Sequence, residues 1–86
     1  MTTYTLTARN GETPSITFEV SATFHWIMAM VDVAEKAFRD ITVICDETGE
    51  VMVSRYQSSE VFGNRPILGT LMRLKQMCTE MQERTY

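Results

Sequence analysis

The sequence predicts an α+β fold of order ββαββα: a four-stranded antiparallel sheet with two helices packed on one face. Three observations point there. Alternating apolar and polar residues flank two glycine-containing turns, Asn10-Gly11 and Glu47-Thr48-Gly49. Two longer segments, residues 21–39 and 66–84, carry apolar residues at helical spacing. The pattern of hairpin followed by helix therefore occurs twice in 86 residues, a length that closes one small core and fits a single domain over residues 1–86.

The first hairpin spans residues 3–20. Tyr4, Leu6 and Ala8 alternate with Thr3, Thr5 and Thr7, and Ile16, Phe18 and Val20 alternate with Ser15, Thr17 and Glu19. Register selects the turn. A two-residue Asn10-Gly11 loop would set Leu6 opposite Ser15 and send the two apolar sets to opposite faces. A three-residue loop ending in a left-handed Gly11 pairs Ala8 with Glu12 and Tyr4 with Ile16, which unites them. Pro14 then lies near the start of the second strand, where a missing amide hydrogen suits a sheet edge.

The first helix is expected over residues 21–39, with Ser21 or Thr23 as its cap. Phe24, Trp26, Ile27, Met30, Val31, Val33, Ala34, Ala37 and Phe38 form a stripe broad enough to meet a sheet and a second helix. His25, Asp32, Glu35, Lys36 and Arg39 line the other side, with Asp32–Lys36 and Glu35–Arg39 as i,i+4 pairs. In the second hairpin, residues 41–56, a three-residue loop ending at Gly49 pairs Cys45 with Val51 and Val43 with Val53. Ile44 and Met52 then face each other on the outer side.

Residues 57–65 form a polar loop containing Val61 and Phe62, with a helical turn expected after Ser58-Ser59. Asn64 caps the final helix and Pro66 lies in its first turn, where it costs no hydrogen bond. Ile67, Leu71, Leu74, Cys78 and Met81 make that helix's stripe, flanked by Leu68 and Met77. Gly69 within it implies a close neighbour, the first helix.

The composition, 44% hydrophobic and 22% charged, is that of a folded protein. A net charge of −3 argues against a general phosphate-binding surface. The balance is uneven: residues 1–52 carry three basic and eight acidic side chains, residues 53–86 five basic and three acidic. The threonine-rich N-terminus lacks a signal-peptide core, no apolar run approaches a membrane span, and Cys45 and Cys78 are expected as reduced core thiols. A cytoplasmic location follows, with no membrane contact.

The inventory for catalysis is thin. His25 has no carboxylate one turn away to orient it. One histidine and two inward cysteines make no metal set, and Asp46, Glu47 and Glu50 lack the alternating pattern of a calcium loop. Gly63-Asn64-Arg65-Pro66 lacks both glycine-rich phosphate-loop patterns. No catalytic residue, metal or cofactor is expected, and the chain is not expected to be an enzyme.

More informative are apolar residues on faces that should be wet. Ile44, Met52 and Tyr56 share the outer side of the second hairpin, while Met28 and Met72 lie on polar helix faces. Together with Asp32, Glu35, Asp46, Glu47 and Glu50, the sheet patch predicts a surface for another protein, the acids competing for a basic groove in a nucleic-acid-processing enzyme. The stretch TVICDETGEVMVSRY, residues 42–56, in this hairpin–helix layout resembles small uncharacterised proteins of bacterial mobile elements. That setting includes anti-CRISPR inhibitors. The resemblance implies an inhibitory role and assigns no residue. The alternative is a nucleic-acid-binding accessory protein using Arg55, Arg65, Arg73 and Lys75, with Tyr56 as a stacking ring. A homodimer is also expected, from small size and apolar excess.

Overall fold

A computed structural model describes residues 2–11, 15–57 and 67–84, the last three by backbone alone. The elements in chain order are β1 (Thr2–Arg9), β2 (Ile16–Ala22), α1 (Phe24–Ala34), β3 (Asp40–Cys45), β4 (Val51–Tyr56) and α2 (Ile67–Arg84). The strands form one antiparallel sheet in the order β2-β1-β3-β4. This is the α+β, ββαββα arrangement that the alternation and the two helical stripes predict.

The two hairpins join through their first strands. Tyr4 faces Cys45, Leu6 faces Val43 and Ala8 faces Ile41, and all six are buried. Period-two alternation then puts the threonines of β1 on the opposite side. The helices cover the apolar face: Ile27, Met30, Val31 and Ala34 of α1 and Leu74, Met77 and Met81 of α2 enter the same core. Burying a leucine, isoleucine or valine there stabilises by about 1.5–3 kcal/mol.

The register of the first hairpin differs from the expected one by four positions. Ala8 faces Ile16 and not Glu12, and Tyr4 faces Val20 and not Ile16. An even displacement keeps every side chain on its face, so the apolar sets still unite. It also pairs β1 from Thr2, opposite Ala22, to Ala8, and lengthens the connection. Gly11 is left-handed, with φ +63°, as the turn argument requires. Glu12 and Pro14 lie outside the described residues.

In the second hairpin Val43 faces Val53 as expected, and the register then shifts. Gly49 donates its amide to the Cys45 carbonyl at 2.7 Å with φ +72°, and Cys45 donates to Glu50 at 2.9 Å. Asp46 to Gly49 are thus a four-residue connection, one longer than expected, and β4 absorbs the odd residue as a bulge. Ile44 consequently faces Val51 and not Met52. Val51, expected inside opposite Cys45, is 54% exposed.

α1 is shorter than residues 21–39. Ser21 and Ala22 belong to β2, where the Ser21 hydroxyl hydrogen-bonds that of Thr3 at 2.7 Å. Thr23 is the cap, its hydroxyl accepting from the Trp26 amide at 3.3 Å. Beyond Ala34 the chain tightens, Lys36 donating to Val33 and Ala37 to Ala34, yet Ala37 and Phe38 stay buried. Met28, expected among charges, is partly buried against the core.

On α2 the buried residues are Thr70, Leu74, Met77 and Met81, with Leu71 and Cys78 at the margin. Ile67 is exposed, and so is Gly69, which rules out the close helix contact expected there. Asn64, Pro66 and the turn after Ser58-Ser59 with Val61 and Phe62 lie outside the described residues. Among the described residues, no helix is long and apolar enough to cross a membrane.

Urea unfolding should register two of these features separately. Leu74→Ala, which empties a fully buried site between α2 and the sheet, should lower stability by about 2–5 kcal/mol. Gly49→Ala meets no atom within 4 Å, so its cost should be the left-handed backbone alone, about 1–2 kcal/mol.

Candidate functional site

Among the described residues no helix lies on the outer sheet face, and the residues of that face follow from the register. Thr17, Thr7, Thr42 and Ser54 form one row across all four strands. Glu19, Thr5, Ile44 and Val51 form the next. Arg9 pairs with Asp40 at 3.5 Å, and Tyr56 stands opposite Asp40 on β4. Thr7, Arg9, Ser15, Asp40 and Thr42 line a shallow polar depression of about 280 Å³.

Against this hydroxyl-lined surface the apolar residues stand apart. Ile44 is half-buried in the second row, while Val51, Met52 and Tyr56 are 54%, 38% and 71% exposed. The structure therefore brings Ile44 and Met52 together near the β3–β4 connection, where the bulge adds Val51, while Tyr56 lies at the other end of β4, opposite Asp40. A bulge depends on the length of a turn, and nothing in the alternation of residues 51–56 announces it.

The acidic residues divide. Asp46, Glu47 and Glu50 are exposed at the β3–β4 connection, beside the apolar group. Asp46 accepts from the Thr5 hydroxyl at 2.6 Å, and Glu50 donates its amide to the Thr48 hydroxyl at 3.2 Å. Asp32 and Glu35 lie instead at α1, on the helix-covered side. Arg55, opposite buried Ile41, reaches from β4 to hydrogen-bond Glu35 and to meet Asp32 at 3.8 Å. The single acidic face expected from the sequence is thus two separate sites, one of them closed by an arginine.

The basic set is similarly dispersed. The hydrogen bond from Arg55 to Glu35, then the charge of Glu35 and more weakly that of Asp32, push the Arg55 guanidinium above its ordinary range. Arg73 donates to Gln76 at 3.1 Å and to Glu80 at 3.5 Å along α2. Lys75 is exposed on the same helix, which packs on β2 and α1, whereas β4 is the opposite sheet edge. Arg65 lies outside the described residues.

His25 is exposed near the start of α1. Cys45 is a buried free thiol and Cys78 a half-buried one, whose pKa burial pushes up. Among the described residues, no group of three histidine, cysteine or acidic side chains is placed to hold a metal. Ile67, Leu68 and Met72 form a further exposed apolar group on α2. Of these only Met72 was singled out from the sequence. The Leu68-to-Met72 spacing, one turn apart and off the main stripe, was the available signal for the rest.

Comparison with known proteins brings no relative to bear: no family model matches the chain, nor does a curated protein or a solved structure at a significant level.

The Arg55 contacts rank the two α1 carboxylates. Glu35→Ala should lower the thermal unfolding midpoint more than Asp32→Ala, because Glu35 is hydrogen-bonded and only 22% exposed, whereas Asp32 is 71% exposed at longer range. Equal midpoints for the two variants would show that the bridge does not hold β4 to α1.

Proposed function

We propose that this chain is a non-catalytic protein-binding module that docks through the open sheet face at its β3–β4 end. One observation carries the proposal. Ile44, Val51 and Met52 form an apolar group beside the β3–β4 connection, with Tyr56 exposed further along β4, on a face otherwise built from threonine, serine and charged residues. A cluster of this kind with a polar rim is the composition of an interaction hot spot. Asp46, Glu47 and Glu50 beside it give the surface a negative flank.

In its sharper form the module inhibits a nucleic-acid-processing enzyme, as the anti-CRISPR setting of the resemblance implies. The acidic connection would enter a basic groove that normally holds phosphate and would speed encounter. The apolar residues would slow release. Asp32 and Glu35 have no part in this version, since Arg55 occupies them. What favours it over the nucleic-acid-binding alternative is that Arg55 and Arg73 each face a carboxylate and lie on distant elements.

Affinity capture from the native host's lysate tests the proposal, with an Ile44→Glu, Met52→Glu double variant beside the parent chain. Loss of a captured protein from the variant, with an unchanged far-UV spectrum, is expected; equal capture by both forms would overturn the docking face. His25→Ala should capture as the parent does. Nucleic acid retained by the chain and released steeply by added salt would favour the alternative.

A further inference from the structure

We infer that the polar depression on the outer sheet face is a binding site for a neutral sugar ring, held by the Arg9–Asp40 couple and stacked on Tyr56. Two cross-strand rows build it. Arg9 of β1, Asp40 of β3 and Tyr56 of β4 stand side by side, and Thr7 and Thr42 face each other in the adjoining row. Ser15, just ahead of β2, lines the same depression. None of the five lining residues is apolar. Ligand pockets are mostly walled by hydrophobic side chains, with a few polar groups for orientation. A wall of hydroxyls and one ion pair suits instead a ligand that hydrogen-bonds around most of its rim.

The ion pair sets the charge of that ligand. Arg9 Nη2 and Asp40 Oδ2 are 3.5 Å apart, well beyond the roughly 2.7–2.9 Å of a tight charge-assisted contact. Both side chains are open to solvent, and each has more donors or acceptors than one contact uses. An anion seated on Arg9 would lie within a few ångströms of the Asp40 carboxylate, and a cation on Asp40 would meet Arg9. A hydroxyl avoids both conflicts, because it accepts from one partner and donates to the other. Adjacent hydroxyls on a sugar can do this in turn. The hydroxyls of Thr7, Thr42 and Ser15 extend the same two-way chemistry across the floor.

Tyr56 supplies the apolar wall. It is 71% exposed and stands opposite Asp40, at the spacing of about 4.5–5.5 Å between Cβ atoms that cross-strand neighbours keep. The face of its ring is the negative part of the aromatic quadrupole. The C–H side of a sugar, drawn slightly positive by the attached oxygens, complements it. At about 280 Å³ the depression falls just below the roughly 300 Å³ where ligand pockets begin, so it has room for one ring and not a drug-sized molecule. Thr7 and Thr42 are half-buried and stiff at Cβ, which keeps the floor in place before the ligand arrives. The inference goes beyond the proposed docking role, which uses Ile44, Val51 and Met52 at the other end of β4.

Amide NMR spectra of the full chain, titrated with glucose, galactose, mannose and N-acetylglucosamine, test the site. At least one sugar should shift the amides of Thr7, Arg9, Asp40 and Thr42, with a Kd on the order of 1–10 mM. Tyr56→Ala should weaken that binding about tenfold, whereas Tyr56→Phe, which keeps the ring, should bind as the parent does. Both changes fall on an exposed side chain, so the fold should survive them. Parallel titrations with inorganic phosphate and with glycine ask whether the site prefers an anion or a zwitterion. Silence with all four sugars at about 100 mM, unchanged affinity in Tyr56→Ala, or tighter binding of phosphate or glycine at these residues would each overturn the inference. The Ile44→Glu, Met52→Glu variant should bind the sugar normally, so failure of the docking face and failure of this site are told apart.

Discussion

The pairing of β1 with β3 is the constraint from which the rest of the molecule follows. Among the described residues it is the only union of the two hairpins within the sheet, and it sets Leu6 against Val43 and Ala8 against Ile41, all four buried. A slip of one residue would turn both sets into water and bring the threonines inside. With the seam in place, the inner face is continuous enough for α1 and α2 to cover it together. The outer face then has to be polar, and the few apolar residues on it stand out.

How much was readable in the sequence depends on which physical signal carried it. Alternation has a period of two, so it reports the face of a residue and not its partner. Tyr4, Leu6 and Ala8 were placed inside correctly even though their β2 partners lie four positions from the expected ones. Turn chemistry reported the left-handed glycines, Gly11 and Gly49, but not how many residues each connection holds. That count decides whether β4 needs a bulge, and Val51 changed sides because of it.

Helix ends were lost for a related reason. Ser21 and Ala22 fit a helical stripe and a strand equally well, and the competing ladder with β1 claimed them. Ala37 and Phe38 keep their place in the core from a turn, where apolar spacing alone could not distinguish turn from helix. The candidate site shows the same division. Ile44 and Tyr56 could be assigned to the outer face from strand position, though they lie at opposite ends of the β3–β4 pairing, whereas the bridge from Arg55 to Glu35 spans elements far apart in sequence. Local charge patterns paired Glu35 with Arg39; tertiary structure brought it Arg55.

The row Thr17, Thr7, Thr42 and Ser54 has a consequence for anything that settles on this face. Branching at Cβ leaves threonine few side-chain conformations, and serine has little to lose. Long lysines and glutamates must be immobilised when a surface is covered, at about 0.5–1.5 kcal/mol for each. Short hydroxyls are already nearly fixed and lie close to the backbone. The sheet therefore offers a low, stiff floor on which contact forfeits little disorder, so a modest apolar group beside it can hold more than its area suggests.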